Sequence, residues 1–398
     1  MPSMQGQEDV GFYSYEQSAQ MYGGAEEIAY QDAEYAMEDN GLHMTAFGAQ
    51  ANPKPQGKYT ITRGWEKFAF PKAVRLLRDG DLEIQQKALL TVSELLRTGE
   101  ACVQLVHAGV VAALTECLGA PDPTVRQRAA ADFEILVGVA GTRGCTQMLT
   151  DGAVETLLSL LDDVSTPVRH AVYNALVEAC ARSPAIQARL CSIDGTLAGL
   201  LARAGDHTGE EDLERMACAL ELIRVCLAGR NPGAAEQLLD AGGLAALVQI
   251  MSKQDIAVVE GATTVLGLLC AEWKAKEEAV KVGAVAALTN LMGAHALLST
   301  KIVAVHALMH ICVDIVGKAA AVKAGAVPLI SQALEVDDEK LILNSLQCVA
   351  SIAENKAGRA ALQPVAPRLE QLMYHHITVI QRHAMLAKRA VEFKELGK

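Results

Sequence analysis

Apolar residues fall in short groups of helical period along most of the chain, divided by polar turns. The groups themselves recur. KVGAVAALTNL runs from Lys281 to Leu291 and KAGAVPLISQAL from Lys323 to Leu334, with 42 residues from Gly283 to Gly325. Further copies are HAGVVAAL at Gly109, TDGAVETL at Gly152, IDGTLAGL at Gly195 and DAGGLAAL at Gly242. Degenerate first and last copies, KFAFPKAVRLL and LQPVAPRLEQL, put Phe68 and Pro364 at the glycine position. Successive anchors lie 41, 43, 43, 47, 41, 42 and 39 residues apart, which makes seven full units and a truncated eighth. A repeat of about 40–47 residues predicts two or three helices per unit, stacked as a solenoid.

Each unit reads as three helices. In the unit of Gly325, Ala319 to Ala324 predicts a short first helix, and Gly325 ends it in the left-handed conformation that glycine adopts freely. Val327 to Leu334 predicts a second helix, with Pro328 tolerated in its first turn. The polar turn Val336-Asp337-Asp338-Glu339 places acids at the positive N-terminus of a third helix. That helix, LILNSLQCVASIAEN, carries Leu343, Leu346, Val349 and Ile352 on one stripe. The segments DPTVRQRAAADFEILV and STPVRHAVYNALVEACA repeat the design. No alternating apolar run is long enough to predict strands.

Composition agrees with close helix stacking: 51% of residues are hydrophobic and only 4% aromatic. Val282 to Thr300 is 19 residues without a charge, near the length of a membrane span. Gly283, Asn290, Gly293 and His295 within it, and its register with the repeat, make it part of the solenoid. The N-terminus lacks the basic and apolar regions of a signal peptide. Ten cysteines, none in a C-x-x-C pair, fall mostly on apolar helical stripes. They read as small hydrophobes of a reduced, intracellular protein.

Residues 1–57 differ from the rest, and the solenoid is placed at 58–398. Up to Pro53 the tail holds nine acids and no lysine or arginine, so most of the formal net charge of −12 belongs to it. Five of the eight tyrosines, Tyr13, Tyr15, Tyr22, Tyr30 and Tyr35, lie there as well. The segment has too little apolar surface to order alone. It is expected to be disordered or extended, serving either to solubilise or to dock the tyrosines on a partner.

No enzyme motif is present: there is no G-x-S-x-G, H-E-x-x-H or phosphate-cradling G-x-x-x-x-G-K-[ST]. No cofactor or metal site is expected. His306 and His310, four apart, would face the same way, but with no evident third ligand they read as helix-surface and core histidines, as do His375, His376 and His383. Glu210-Glu211-Asp212 in the longest unit reads as an acidic loop insertion. A nearly neutral solenoid and an acidic tail exclude the basic stripe of a nucleic-acid binder and oppose direct docking on the acidic microtubule lattice.

The unit resembles the armadillo repeat, whose glycine stands between the first and second helices. The resemblance implies an all-α, right-handed superhelical solenoid with third helices along a concave groove. Nuclear-import receptors of that fold clamp basic peptides there with asparagines. The corresponding positions are Glu94, Ile135, Glu178, Leu222, Leu268, His310 and Ser351, none of them asparagine. Acids mixed with Leu and Ile suit a permanent protein partner better than an exchangeable peptide.

The ends carry a closer match. FAFPKAVRLLRDGDLEIQQKALLTVSELL and AENKAGRAALQPVAPRLEQL, closing with AVEFK, resemble the first and last repeats of the armadillo-subunit family of axonemal radial spokes. That resemblance covers about residues 65 to 398. It implies a non-enzymatic scaffold subunit of the spoke stalk or neck in motile cilia, bound to other spoke proteins. An armadillo adaptor of the central apparatus or cytoplasm, and a regulatory subunit of an enzyme complex, remain as alternatives.

Overall fold

The structure is a computed structural model that describes residues 69–205, 211–229 and 231–394. The tail, its five tyrosines and Phe68 lie outside the described residues. Among the described residues every regular element is helical. The chain divides into two compact units, Met1–Ala175 and Leu176–Lys398, the division falling inside the helix Thr166–Arg182.

In the first unit, Ala69–Leu76 and Leu82–Leu96 open the array. Gly99–His107, Val110–Leu118 and Pro123–Ala140 form the next three-helix repeat, followed by Thr142–Thr150 and Ala153–Ser159. The second unit holds four trios. They are Pro184–Ser192, Thr196–Gly205 and Glu211–Ala228; Pro232–Asp240, Gly243–Ile250 and Ile256–Leu269; Trp273–Lys281, Ala284–Leu291 and Leu298–Ile311; and Ile315–Lys323, Ala326–Ala333 and Glu339–Ile352. Lys356–Leu362, Ala366–Leu372 and Thr378–Val391 close it, with Pro364 in the 3-10 turn Gln363–Val365.

The repeat is set by its glycines. All six anchor glycines have φ between 70° and 87°. At Gly283 the first helix ends and the second begins at Ala284; a Cβ there would meet nothing within 4 Å, so conformation alone requires glycine. Gly317 is needed for the opposite reason. A Cβ on it would stand 2.1 Å from the carbonyl oxygen of Ile311, the last residue of the preceding third helix. The first helix could not approach so closely with any side chain there.

Four of the described third helices begin on aspartate caps. Asp81, Asp122, Asp255 and Asp338 each accept a backbone N–H from the following turn, as the acids of the turn predict. At the C-termini of third helices, carbonyls are met by donors from the next first helix. Gln187 Nε2 donates to Cys180 O at 2.7 Å, Lys276 Nζ to Cys270 O at 2.6 Å, and Arg359 Nε to Ala353 O at 3.0 Å. Groups that a helix end would orphan are thereby satisfied between repeats.

Two local expectations change, and a third holds. The core stripe of Glu339–Ile352 runs through Ile342, Leu346, Val349 and Ile352, while Leu343 is half-buried. At 100° per residue, Ile342 and not Leu343 stands one turn from Leu346 on the packed face. Glu211 and Asp212 are the first residues of Glu211–Ala228, not loop, and Glu210 lies outside the described residues. That helix has 18 residues, as has Pro123–Ala140, against 14 in Ile256–Leu269. Leu298 also begins a third helix, so Val282 to Thr300 is broken between helices Ala284–Leu291 and Leu298–Ile311.

Among the described residues no single helix is long and apolar enough to cross a membrane. One pair, Gly99–His107 with Val110–Leu118, passes on composition but is bent by 78°. None of the ten cysteines forms a disulfide, and all but the half-exposed Cys218 are buried.

Candidate protein-interaction surface

Third helices pack on one another and leave one side of each uncovered. In the first unit Leu82–Leu96 packs on Pro123–Ala140. In the second, Glu211–Ala228, Ile256–Leu269, Leu298–Ile311, Glu339–Ile352 and Thr378–Val391 pack in succession. Each buries its Ala, Val and Leu stripe and turns a mixed side outward.

Polar contacts cross these seams. In the second unit Glu260 Oε1 accepts from Ser299 Oγ at 2.6 Å and from Thr300 Oγ1 at 2.7 Å. Asn344 Nδ2 donates to Ile302 O at 3.5 Å. In the first unit Gln86 Nε2 donates to Thr124 Oγ1 at 2.7 Å, and Ser93 Oγ donates to Asp132 Oδ1 at 2.5 Å. Asp132 is fully buried, and its Oδ2 has no hydrogen-bond partner among the described residues. Burial pushes its carboxyl up to about 7, against the opposing pull of the Ser93 hydroxyl and of Arg128 and Arg97.

Of the seven aligned positions, Glu94 is exposed, and Ile135, Glu178, Leu268, His310 and Ser351 are half-buried. Glu178 is ion-paired with Arg182 at 2.5 Å. Leu222 does not belong to this surface, because it is completely buried. The half-exposed residues beside it are Glu221 and Arg224, paired at 2.6 Å. Matching ALELI to ALVEA missed this because Leu222 stands six residues from the end of Glu211–Ala228, whereas Glu178 stands four from the end of Thr166–Arg182. Packing contacts give a better register: a Cβ on Gly261 would stand 3.3 Å from Leu220 of the neighbouring helix.

His306 and His310 lie on the same side of Leu298–Ile311, edge to face, with ring centres 4.9 Å apart. Burial lowers the affinity of both imidazoles for a proton, and His310, also facing His306 and the Lys276 charge, is pushed down to about 4. Among the described residues no group of three or more His, Cys, Asp or Glu is placed to hold a metal ion.

Three-helix repeats hinged on a left-handed glycine, with stacked third helices, define an armadillo-repeat protein. The armadillo/beta-catenin-like repeat matches residues 231–271. An engineered protein of known crystal structure is similar over 96% of this chain and 95% of its own, with a TM-score of 0.58 and 19% identity, which shows the fold. Radial spoke protein 14 of Chlamydomonas reinhardtii is 31% identical over 375 residues, 92% of this chain and 96% of that protein. The chain belongs to the radial spoke protein 14 family.

Proposed function

We infer that the chain is a structural subunit of the axonemal radial spoke in cilia or flagella. The observation that carries this is likeness to radial spoke protein 14 along nearly the whole of both chains, not in a shared repeat alone. The subunit binds neighbouring spoke proteins on the uncovered sides of its third helices, through Glu94, Ile135, Glu178, Leu268, His310 and Ser351. Such a surface, half-buried and sparsely charged, suits a lasting protein contact. Its role is to hold an assembly and not to catalyse a reaction. With an acidic tail and a nearly neutral body, attachment to the microtubule lattice runs through other proteins.

The tail is a second contact, with Tyr13, Tyr15, Tyr22, Tyr30 and Tyr35 as anchors. Solubility alone would need only the acids, and buried rings supply affinity that offsets the entropy of ordering. Axonemes from ciliated cells that carry this protein, extracted with salt and analysed by mass spectrometry, test the spoke assignment. Co-fractionation with spoke subunits is expected; fractionation with the central apparatus or a soluble pool would refute it. Deleting residues 1–57 should leave the melting temperature unchanged and lower incorporation in competition with the full chain. Equal incorporation would reduce the tail to a solubilising appendage.

A further inference from the structure

We propose that the outer side of the helix Thr378–Val391 is the docking site for an acidic amphipathic helix of another protein, seated where one more third helix would stack. Thr378–Val391 buries Ile380, Ala384, Ala387 and Val391. At 100° per residue these four share one narrow arc, and Val379, Arg382, Met385, Leu386 and Arg389 stand on the opposite side. All five are exposed, Val379 by 48%, Met385 by 43% and Leu386 by 53%. Glu339–Ile352, also of 14 residues, is packed between Leu298–Ile311 and Thr378–Val391 and buries seven residues, where Thr378–Val391 buries four. The stack of third helices in the second unit thus presents one more apolar side, in line with those already covered.

Charge and spacing define the occupant. Lys388 is paired with Glu370 at 3.4 Å and Glu392 at 3.8 Å, but Arg382 and Arg389 have no ion-pair or hydrogen-bond partner among the described residues. The two arginines are seven residues, about 10.5 Å, apart along one side of the helix. Carboxylates at the same spacing on a facing helix meet both, and apolar residues between them cover Met385 and Leu386. A second copy of this chain, related by a two-fold axis, would set arginines against arginines. An anionic lipid surface would attract the two arginines, but the chain as a whole carries a formal net charge of −12, which opposes its approach. The dock rests on the proposed function only in expecting a protein partner. An acidic helix from a protein outside the spoke would uphold the dock and refute the spoke assignment.

The test places the photo-cross-linker p-benzoylphenylalanine at Met385 in the full-length chain, expressed in ciliated cells that lack the native protein. Mass spectrometry identifies the joined peptide, which should come from another protein and carry carboxylates seven residues apart on a helical apolar pattern. That peptide, made synthetically, is then titrated into the purified full-length chain. Arg382→Glu with Arg389→Glu should weaken its binding by about tenfold or more without moving the melting curve, and exchanging the two peptide carboxylates for lysines should restore binding to the charge-reversed chain. Arg382→Gln with Arg389→Gln replaces the reversal if that variant does not fold. A cross-link to a second copy, to this chain's own residues, to lipid or to a peptide without that pattern would overturn the proposal. So would the absence of any cross-link, or peptide binding that neither pair of arginine substitutions weakens.

Discussion

Leu222 and Leu268 hold the same place in the sequence pattern of adjacent repeats and lie on opposite sides of the surface. Leu222 is enclosed, whereas Leu268 is half-uncovered. Leu268 is the last residue but one of its helix, whereas Leu222 stands six residues before the end of Glu211–Ala228. The difference is one of place along the helix: Leu222 stands five residues farther from its helix end than Leu268 does, a rotation of about 140° that turns it to the packed side. In a stacked repeat, identity at an aligned position says less about function than the register in which the helix is packed.

That contrast is broken most easily by truncating both leucines. Leu222→Ala should cost about 2–5 kcal/mol, as for other fully buried leucines, and Leu268→Ala less than about 1 kcal/mol. Urea unfolding measures both; equal costs would place the two residues in the same environment and contradict the register.

A charged version of the same contrast sets the first unit against the second. Asp132 is sealed in the seam between Leu82–Leu96 and Pro123–Ala140, whereas Glu260 sits at a seam edge and is satisfied by two hydroxyls. A carboxyl raised from 3.8 to about 7 holds its proton more tightly in the folded chain than in the unfolded one. Stability should therefore fall as the pH rises from about 4 to about 7 and level off above that. Asp132→Asn should abolish this slope and raise stability at pH 8 by an amount of order 1–3 kcal/mol. Glu260→Gln should leave the slope in place. A pH series of urea midpoints that the Asn substitution does not alter would show that Asp132 is ionised and solvated.

Gly283→Val should cost on the order of 1 kcal/mol or more, since a β-branched residue is forced to φ near 83° with space but no suitable conformation. An unchanged melting temperature would contradict the left-handed hinge. The smallest effect on stability, within about 0.5 kcal/mol, is expected for Ser351→Ala on the uncovered side.

Much of the fold was legible because a positive-φ hinge can be occupied freely only by glycine, and the six anchors therefore recur visibly in the sequence. Aspartate caps were legible for a similar reason: they answer a local need of the helix N-terminus. The pair Gly317 and Ile311 was not, because its requirement is contact with another helix, which no local pattern announces. The buried Asp132 escaped for the same reason: in sequence it is one acid on a helix that also carries Arg126, Arg128 and Glu134. The aligned positions all fall on third helices, but Leu222 lies on a buried side, because it stands farther from its helix end than the residues it was matched to.

The claim that the uncovered third-helix side holds the chain in the spoke is tested most directly by re-incorporation. Cells lacking this protein would receive either the wild-type chain or one carrying Leu268→Glu and Ser351→Glu, and spoke particles would be extracted and quantified by mass spectrometry. The substitutions place charges on a face where the partner must desolvate them, without touching the core. The wild-type chain should be recovered in the spoke particle, and the variant should melt like the wild type yet be depleted from the particle severalfold. Equal recovery of the two chains would show that this side of the repeats does not make the contact.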